Sequence, residues 1–163
     1  KIMEIARLQF PGNEVVAKLL AHIYLDQGKL NAAAHILEQA ARINHTLLSE
    51  AAEIYRRAGR LHKALMLNSG ISDQKVKLKQ RLPILLALKQ FEQAASMESS
   101  LYRVGLLEDQ NVRYALAYAL FSTGRFQQVG KHLDSLKEPE LFKKGIELRR
   151  LIEACKDEPW ECA

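Results

Sequence analysis

The sequence lacks most of what would mark an enzyme or a membrane protein. Its longest apolar run, LPILLAL at 82–88, falls far short of the roughly 18 consecutive apolar residues that a bilayer crossing needs. It has no phosphate-cradling glycine-rich loop, no H-E-x-x-H, no G-x-S-x-G and no Cys and His cluster at metal-ligand spacing. The five histidines, His22, His35, His45, His62 and His132, are scattered along the chain, and the acids are mostly solitary. These absences argue against catalysis and against a bound metal or other cofactor. Cysteine is scarce too: the two present, Cys155 and Cys162, both lie in the C-terminal stretch EACKDEPWECA. No signal peptide is visible, but the chain opens at KIMEIARL without an initiator Met and inside a helical pattern. That predicts a natural start further upstream, so targeting must be read from other features.

What the chain does have is 48% apolar residues over 163 positions, enough for a continuous core, and a repeated outline. DQGKLNAAA at 26 returns as RAGRLHKAL at 57, ALKQFEQAA at 87 and STGRFQQVG at 122. Gly28, Gly59, Lys89 and Gly124 hold the same place, 31, 30 and 35 residues apart, within the period of helical solenoids. Two positions later comes Leu30, Leu61, Phe91 or Phe126, and five positions later Ala33, Ala64, Ala94 or Val129. Four upstream lies Tyr24, Tyr55, Leu85 or Leu120. Two antiparallel helices explain this outline. A glycine ends the first helix because it tolerates positive φ, and a small residue lets the second helix approach. Each hairpin leaves an apolar face that only the next hairpin can cover.

These residues resemble the tetratricopeptide repeat. Ala21, Tyr24, Gly28, Leu30, Ala33, Leu37 and Ala40 fall on its positions, and Pro11 falls where a preceding repeat would close. KIMEIARLQF then reads as the second helix of a repeat whose first helix is missing. Lys89 in place of the turn glycine, Val129 in place of alanine and the short spacings depart from the pattern. The resemblance implies an all-α, right-handed superhelical solenoid of antiparallel helix pairs with a C-terminal capping helix: repeats over 1–136, cap and cysteine-containing tail over 137–163. The predicted helices are 2–9, 14–27, 30–43, 46–58, 61–69, 73–88, 91–103, 109–123, 126–136 and 139–156, the sixth with Pro83 inside and expected to kink there.

In the family the first helix of each pair lines a concave wall. Carried over by register, that wall includes Lys18 and His22, then Glu53, Arg56 and Arg57, then Val76, Lys79 and Pro83, then Tyr114, Tyr118 and Phe121. The last three follow i, i+4, i+7 spacing, which puts three rings on one helix face. Such a stripe is either a recognition surface or core. Chaperone-binding members clamp a C-terminal carboxylate with Lys and Asn; Lys18 matches one clamp position, but His22 stands where Asn is expected, so that clamp is not supported. From Ile54 to Lys89 nine basic residues face the single acid Asp73, a net +8 against +5 for the whole chain. A positive belt favours an acidic or phosphate-bearing partner, or is a plain solvated face. Without aromatics interleaved for stacking, it argues against nucleic acid.

The tail has three readings. A Cys155–Cys162 disulfide would tie the chain end to the cap and place the protein in an oxidising compartment such as the periplasm. Free thiols would suit the cytoplasm. Zinc would need two further ligands. The stretch from VRYALAYALF to LIEACK, with its Cys, Pro, Trp, Cys ending, resembles periplasmic tetratricopeptide proteins that accompany bacterial TonB energy-transduction systems. The resulting expectation is a non-enzymatic scaffold that grips a protein or peptide partner in its concave groove, with a regulatory or substrate-recruiting domain of a larger enzyme as the alternative.

Overall fold

The computed structural model describes residues 2–157, and the described residues form helices throughout. Eleven α-helices follow one another: α1 (Ile2–Gln9), α2 (Glu14–Asp26), α3 (Leu30–Ala41), α4 (Leu48–Arg57), α5 (Leu61–Ser69), α6 (Gln74–Ala87), α7 (Phe91–Ala95), α8 (Glu98–Arg103), α9 (Gln110–Ser122), α10 (Phe126–Leu133) and α11 (Pro139–Asp157), with single 3-10 turns before α4 and α9. The chain divides into two compact units, 1–84 and 85–163, the boundary falling within α6.

The four repeated turns share one geometry. In each, the residue after the left-handed position donates its N–H to the carbonyl five residues back: Lys29 to Tyr24, Arg60 to Tyr55, Gln90 to Leu85 and Arg125 to Leu120, all at 2.8–2.9 Å. The left-handed residue donates to the carbonyl three back. This is a Schellman closure, and it explains why Tyr24, Tyr55, Leu85 and Leu120 recur four positions upstream: each supplies the accepting carbonyl. Gly28, Gly59 and Gly124 have φ of 72°, 73° and 74°, and Lys89 takes φ 58° in the same role. The second helix begins two residues after the turn residue in every copy.

Ala33, Ala64, Ala94 and Val129 are all 0% exposed, so the small residue of each repeat lies where the second helix meets its neighbours. In the first unit, α3 packs between α2 and α4, and α5 packs on α4. Leu37, Leu47, Leu82 and Ile84 are its fully buried large side chains. In the second unit, α9 receives α7, α10 and α11, around Leu85, Leu101, Leu116, Leu120 and Val129.

Asparagine and aspartate open the first helices. Asn13 accepts from Val16 N–H, Asp73 from Val76 N–H, and Asp109 from Asn111 and Val112 N–H, as N-caps do. A second device recurs across helices: Tyr24 Oη donates to Glu4 at 2.6 Å and Tyr55 Oη to Glu38 at 2.7 Å. Asn68 lies as far before Leu85 as Glu38 lies before Tyr55. Leucine has no hydroxyl to give, and the fully buried Asn68 instead donates to Lys77 O (2.9 Å) and Gln80 Oε1 (3.2 Å).

Two helix predictions need correction. The single helix expected over 91–103 breaks into α7 and α8, where Ser96 Oγ donates to Gln93 O (2.7 Å) and Met97 N–H reaches Ala94 O. A serine side chain competing for helix carbonyls favours such a break, and Met97 turns into the core. The helix expected to reach 136 stops at Leu133. Pro83 sits within α6, which stays helical from Gln74 to Ala87.

Candidate functional site

In the first unit, α4 and α6 enclose a cleft of about 400 Å³ lined by Glu53, Arg56, Val76, Lys79, Gln80 and Pro83. Five of these six are residues that the repeat register assigns to the first-helix wall. The exception, Gln80, is held by its own bond to Ser49 O at 2.7 Å. It lies on the α6 face that Val76 and Pro83 define, at i+4 and i−3 from them, and that spacing is the signal that could have found it.

Glu53 organises the charge here. Arg56 grips it through two bonds, Nε to Oε2 at 2.9 Å and Nη2 to Oε1 at 2.8 Å, and Arg57 Nε adds a third contact at 3.3 Å. These hold the Glu53 carboxyl below its usual range, the Arg56 hydrogen bonds contributing most, and the same pairing raises Arg56. A ligand entering the cleft meets an apolar patch, Val76 and Pro83, beside a guanidinium already oriented by a carboxylate.

Lys18 and His22 lie apart from this cleft, on α2. Lys18 Nζ is 2.6 Å from both Glu14 and Glu50, and it ties α2 to α4. His22 Nε2 stands 3.7 Å from Asp26, largely in solvent. Arg57 touches Glu53 but does not line the cleft.

The basic belt is partly answered from outside its own sequence window. Lys63 Nζ pairs with Glu38 at 2.7 Å, and Arg56 and Arg57 share Glu53; within the window, Lys77 Nζ donates to the Ser69 carbonyl at 2.8 Å. Burial pushes the Glu38 carboxyl up, but the bonds from Lys63 and Tyr55 together outweigh it and leave it lowered. Burial and the Glu38 bond push the Tyr55 phenol up to about 12.

In the second unit, the buried face of α9 carries Val112, Leu116, Ala117, Ala119 and Leu120. Tyr114 and Phe121 are half-buried and Tyr118 is 40% exposed, so the three rings share the face that solvent reaches. Tyr118 meets Phe91 edge to face at 6.1 Å, Phe121 tilts against Phe126 at 5.8 Å, and Lys144 Nζ lies 5.9 Å from the Tyr114 ring centre. Burial, with the nearby Tyr118 second, raises the Tyr114 phenol. Each ring is thus braced by a neighbour yet keeps an open edge, as rigid anchors do. A separate cleft of about 570 Å³ between α10 and α11, with Phe126, Ile152 and Arg149 among its lining, was not foreseen from the sequence.

Cys155 is buried in the last turn of α11; Cys162, its expected bridge partner, lies outside the described residues. Among the described residues no group of three or more His, Cys, Asp or Glu side chains could hold a metal ion, and no helix is long and apolar enough to cross a membrane.

No protein-family model matches the chain. No curated protein matches it. Among solved structures it is similar to YrrB, described as a TPR protein with an unusual peptide-binding site. The TM-score is 0.63 at 12% sequence identity, over 96% of this chain and 98% of that one. With the four Schellman turns and the four buried small residues already in place, that likeness settles the architecture: the chain has the tetratricopeptide-repeat fold.

Proposed function

We propose that the protein is a non-enzymatic interaction scaffold that binds a peptide segment of a partner protein in the groove whose wall its first helices form. The observation that carries this reading is the α4–α6 cleft, where the register-assigned residues Glu53, Arg56, Val76, Lys79 and Pro83 converge. Peptide binding by the similar YrrB supports it. The Arg56–Glu53 pair and Lys79 suit a segment with an acidic side chain next to an apolar one, the acid taking up the guanidinium edge that Glu53 leaves open. Tyr114, Tyr118 and Phe121 offer a second, apolar contact.

Selection from a random peptide library on the wild-type protein, counter-screened on Val76→Glu, tests the cleft. Peptides that bind wild type and lose binding to Val76→Glu place the site there. Peptides that bind both equally place it elsewhere and overturn the reading.

The C-terminal likeness to TonB-associated proteins supports placing this scaffold in a bacterial envelope system, in the periplasm, with Cys155 and Cys162 bridged. Oxidised, folded protein should then resist thiol reagents until reduced, and its melting temperature should drop on reduction; two freely titrating thiols end that placement.

A further inference from the structure

A second cleft in the first unit, of about 580 Å³, shares no residue with the α4–α6 cleft. It is lined from the C-terminal half of α3, the last turn of α4 and the start of α5, and His35, Glu38, Arg42, Arg60, His62 and Lys63 stand in its wall. None of these belongs to the first-helix wall that the repeat register assigns.

Glu38 is the one acid among these lining residues, and its carboxylate is already taken. Oε1 lies 2.7 Å from Lys63 Nζ, and Oε2 accepts from Tyr55 Oη at 2.7 Å. His35 adds a further donor on the same side. Arg7 donates to Gln39 Oε1 at 2.8 Å, which turns the Gln39 amide nitrogen toward His35 Nε2 at 2.9 Å. Nε2 therefore accepts, and the His35 proton sits on Nδ1, 3.9 Å from Glu38 Oε2.

Two cations are left over. Among the described residues neither the Arg42 nor the Arg60 guanidinium has a hydrogen bond or an ion pair. Arg60 nevertheless stands close enough to the Tyr55 phenol to oppose the rise that burial and Glu38 impose on it. The fourth repeat shows the same turn arginine compensated. There Arg125, the counterpart of Arg60, meets Glu92 at 2.7 Å, and Glu92 lies three residues past Lys89. Three residues past Gly28 the chain has Asn31, which carries no charge.

We infer that this cleft is a binding site for a small phosphoryl dianion, free phosphate or a phosphate monoester, with Arg42 and Arg60 as the residues that hold it. Charge decides the class. With Glu38 neutralised by Lys63, the two guanidiniums leave two positive charges, which a phosphoryl dianion balances and a single carboxylate does not. The planar fork of N–H donors on each arginine matches phosphate oxygens in pairs, and the cleft's volume falls in the small-molecule range.

Phenyl phosphate tests it, with benzoate as the monoanion of the same ring. In about 0.15 M salt, where diffuse attraction is screened beyond about 8 Å, phenyl phosphate should saturate with a dissociation constant of about 1 mM or tighter. It should shift the backbone amide NMR signals of residues 60–63, and benzoate should bind at least about tenfold more weakly. Arg42→Gln and Arg60→Gln should each weaken phenyl phosphate binding about tenfold. Both side chains are exposed, so the melting temperature should move by less than about 2 °C. Arg150→Gln removes the same charge from the exposed side of α11 and should leave binding unchanged. Asn31→Glu keeps both arginines and supplies the acid that the fourth repeat has; it should weaken binding about threefold or more, and it decides the matter if a glutamine variant fails to fold. Inorganic phosphate separates the two sources of the dianion: affinity equal to that of phenyl phosphate assigns the site to free phosphate, lower affinity assigns it to an ester, and either supports the site. Benzoate binding as tightly as phenyl phosphate, no saturable binding of either phosphate, unchanged affinity in the Arg42 and Arg60 variants, or an equal loss in Arg150→Gln overturns the inference.

Discussion

The two units put different chemistry on the same kind of helix face. On α4 and α6 the open face is ionic, organised by Glu53 between Arg56 and Arg57, with Val76 and Pro83 beside it. On α9 it is aromatic, with Tyr114, Tyr118 and Phe121 braced by Lys144, Phe91 and Phe126. The turns beneath these faces are alike to within a few tenths of an ångström in their hydrogen bonds. The repeat therefore fixes the frame and leaves the outward positions free to differ, which is how one architecture serves unrelated partners.

The sharpest way to break the comparison is to ask whether the aromatic face is really a surface. Leu120, fully buried on the opposite side of α9, should cost about 2–5 kcal/mol when cut to alanine. Tyr118→Ala and Phe121→Ala should destabilise clearly less, yet weaken peptide binding by about 1–3 kcal/mol each with little salt dependence. Denaturant melts and fluorescence titrations of the three variants decide it. Losses of stability at Tyr118 equal to those at Leu120 would return the rings to the core.

The turns offer a second contrast, smaller and of opposite sign in the two units. Gly59 has φ 73° and open space where a Cβ would stand, so Gly59→Ala should cost about 1 kcal/mol from backbone conformation alone. Lys89 already bears that strain at φ 58°; Lys89→Gly should therefore stabilise by up to about 1 kcal/mol. Thermal melts showing the same sign for both would mean that the Lys89 side chain contributes more than its backbone strain.

Lys89 also shows how much of the molecule could be read in advance. Its alignment with three glycines followed from the residues around it, and the backbone agrees, because the period, the accepting carbonyl and the small buried residue are all local or regularly spaced. The break at Ser96 was not legible: it depends on a serine hydroxyl choosing a helix carbonyl over solvent and on Met97 finding a buried site, neither of which leaves a periodic trace. The belt from Ile54 to Lys89 was legible as charge but not as potential. Of its neutralising acids, Glu53 lies immediately before that stretch and Glu38 much further upstream, and Glu38 reaches Lys63 only once α3 and α5 are packed around α4. The aromatic stripe was legible as a stripe; which side of α9 it faces depended on what packs behind Leu116 and Leu120.

That neutralisation yields the smallest predicted effects. Arg56→Ala and Lys79→Ala should slow association with an acidic peptide by a factor that shrinks as salt screens charge beyond about 8–10 Å, and they should leave the dissociation rate less affected than Tyr118→Ala does. Glu53→Gln should act the other way: releasing Arg56 and Arg57 makes the cleft more positive, so an acidic peptide should associate faster. Acid should mimic it. Because pairing with Arg56 lowers the Glu53 carboxyl below its ordinary value near 4.5, its contribution to stability is present above that value and is lost as pH falls through the lowered one. In Glu53→Gln that part of the acid limb should vanish while the part from Glu38, lowered by Lys63 and Tyr55, remains. Stopped-flow association at two salt concentrations, with pH melts of the same proteins, separates the outcomes. If Glu53→Gln binds acidic peptides no faster than wild type, the α4–α6 cleft works through Val76 and Pro83, and its charges serve only to position α4.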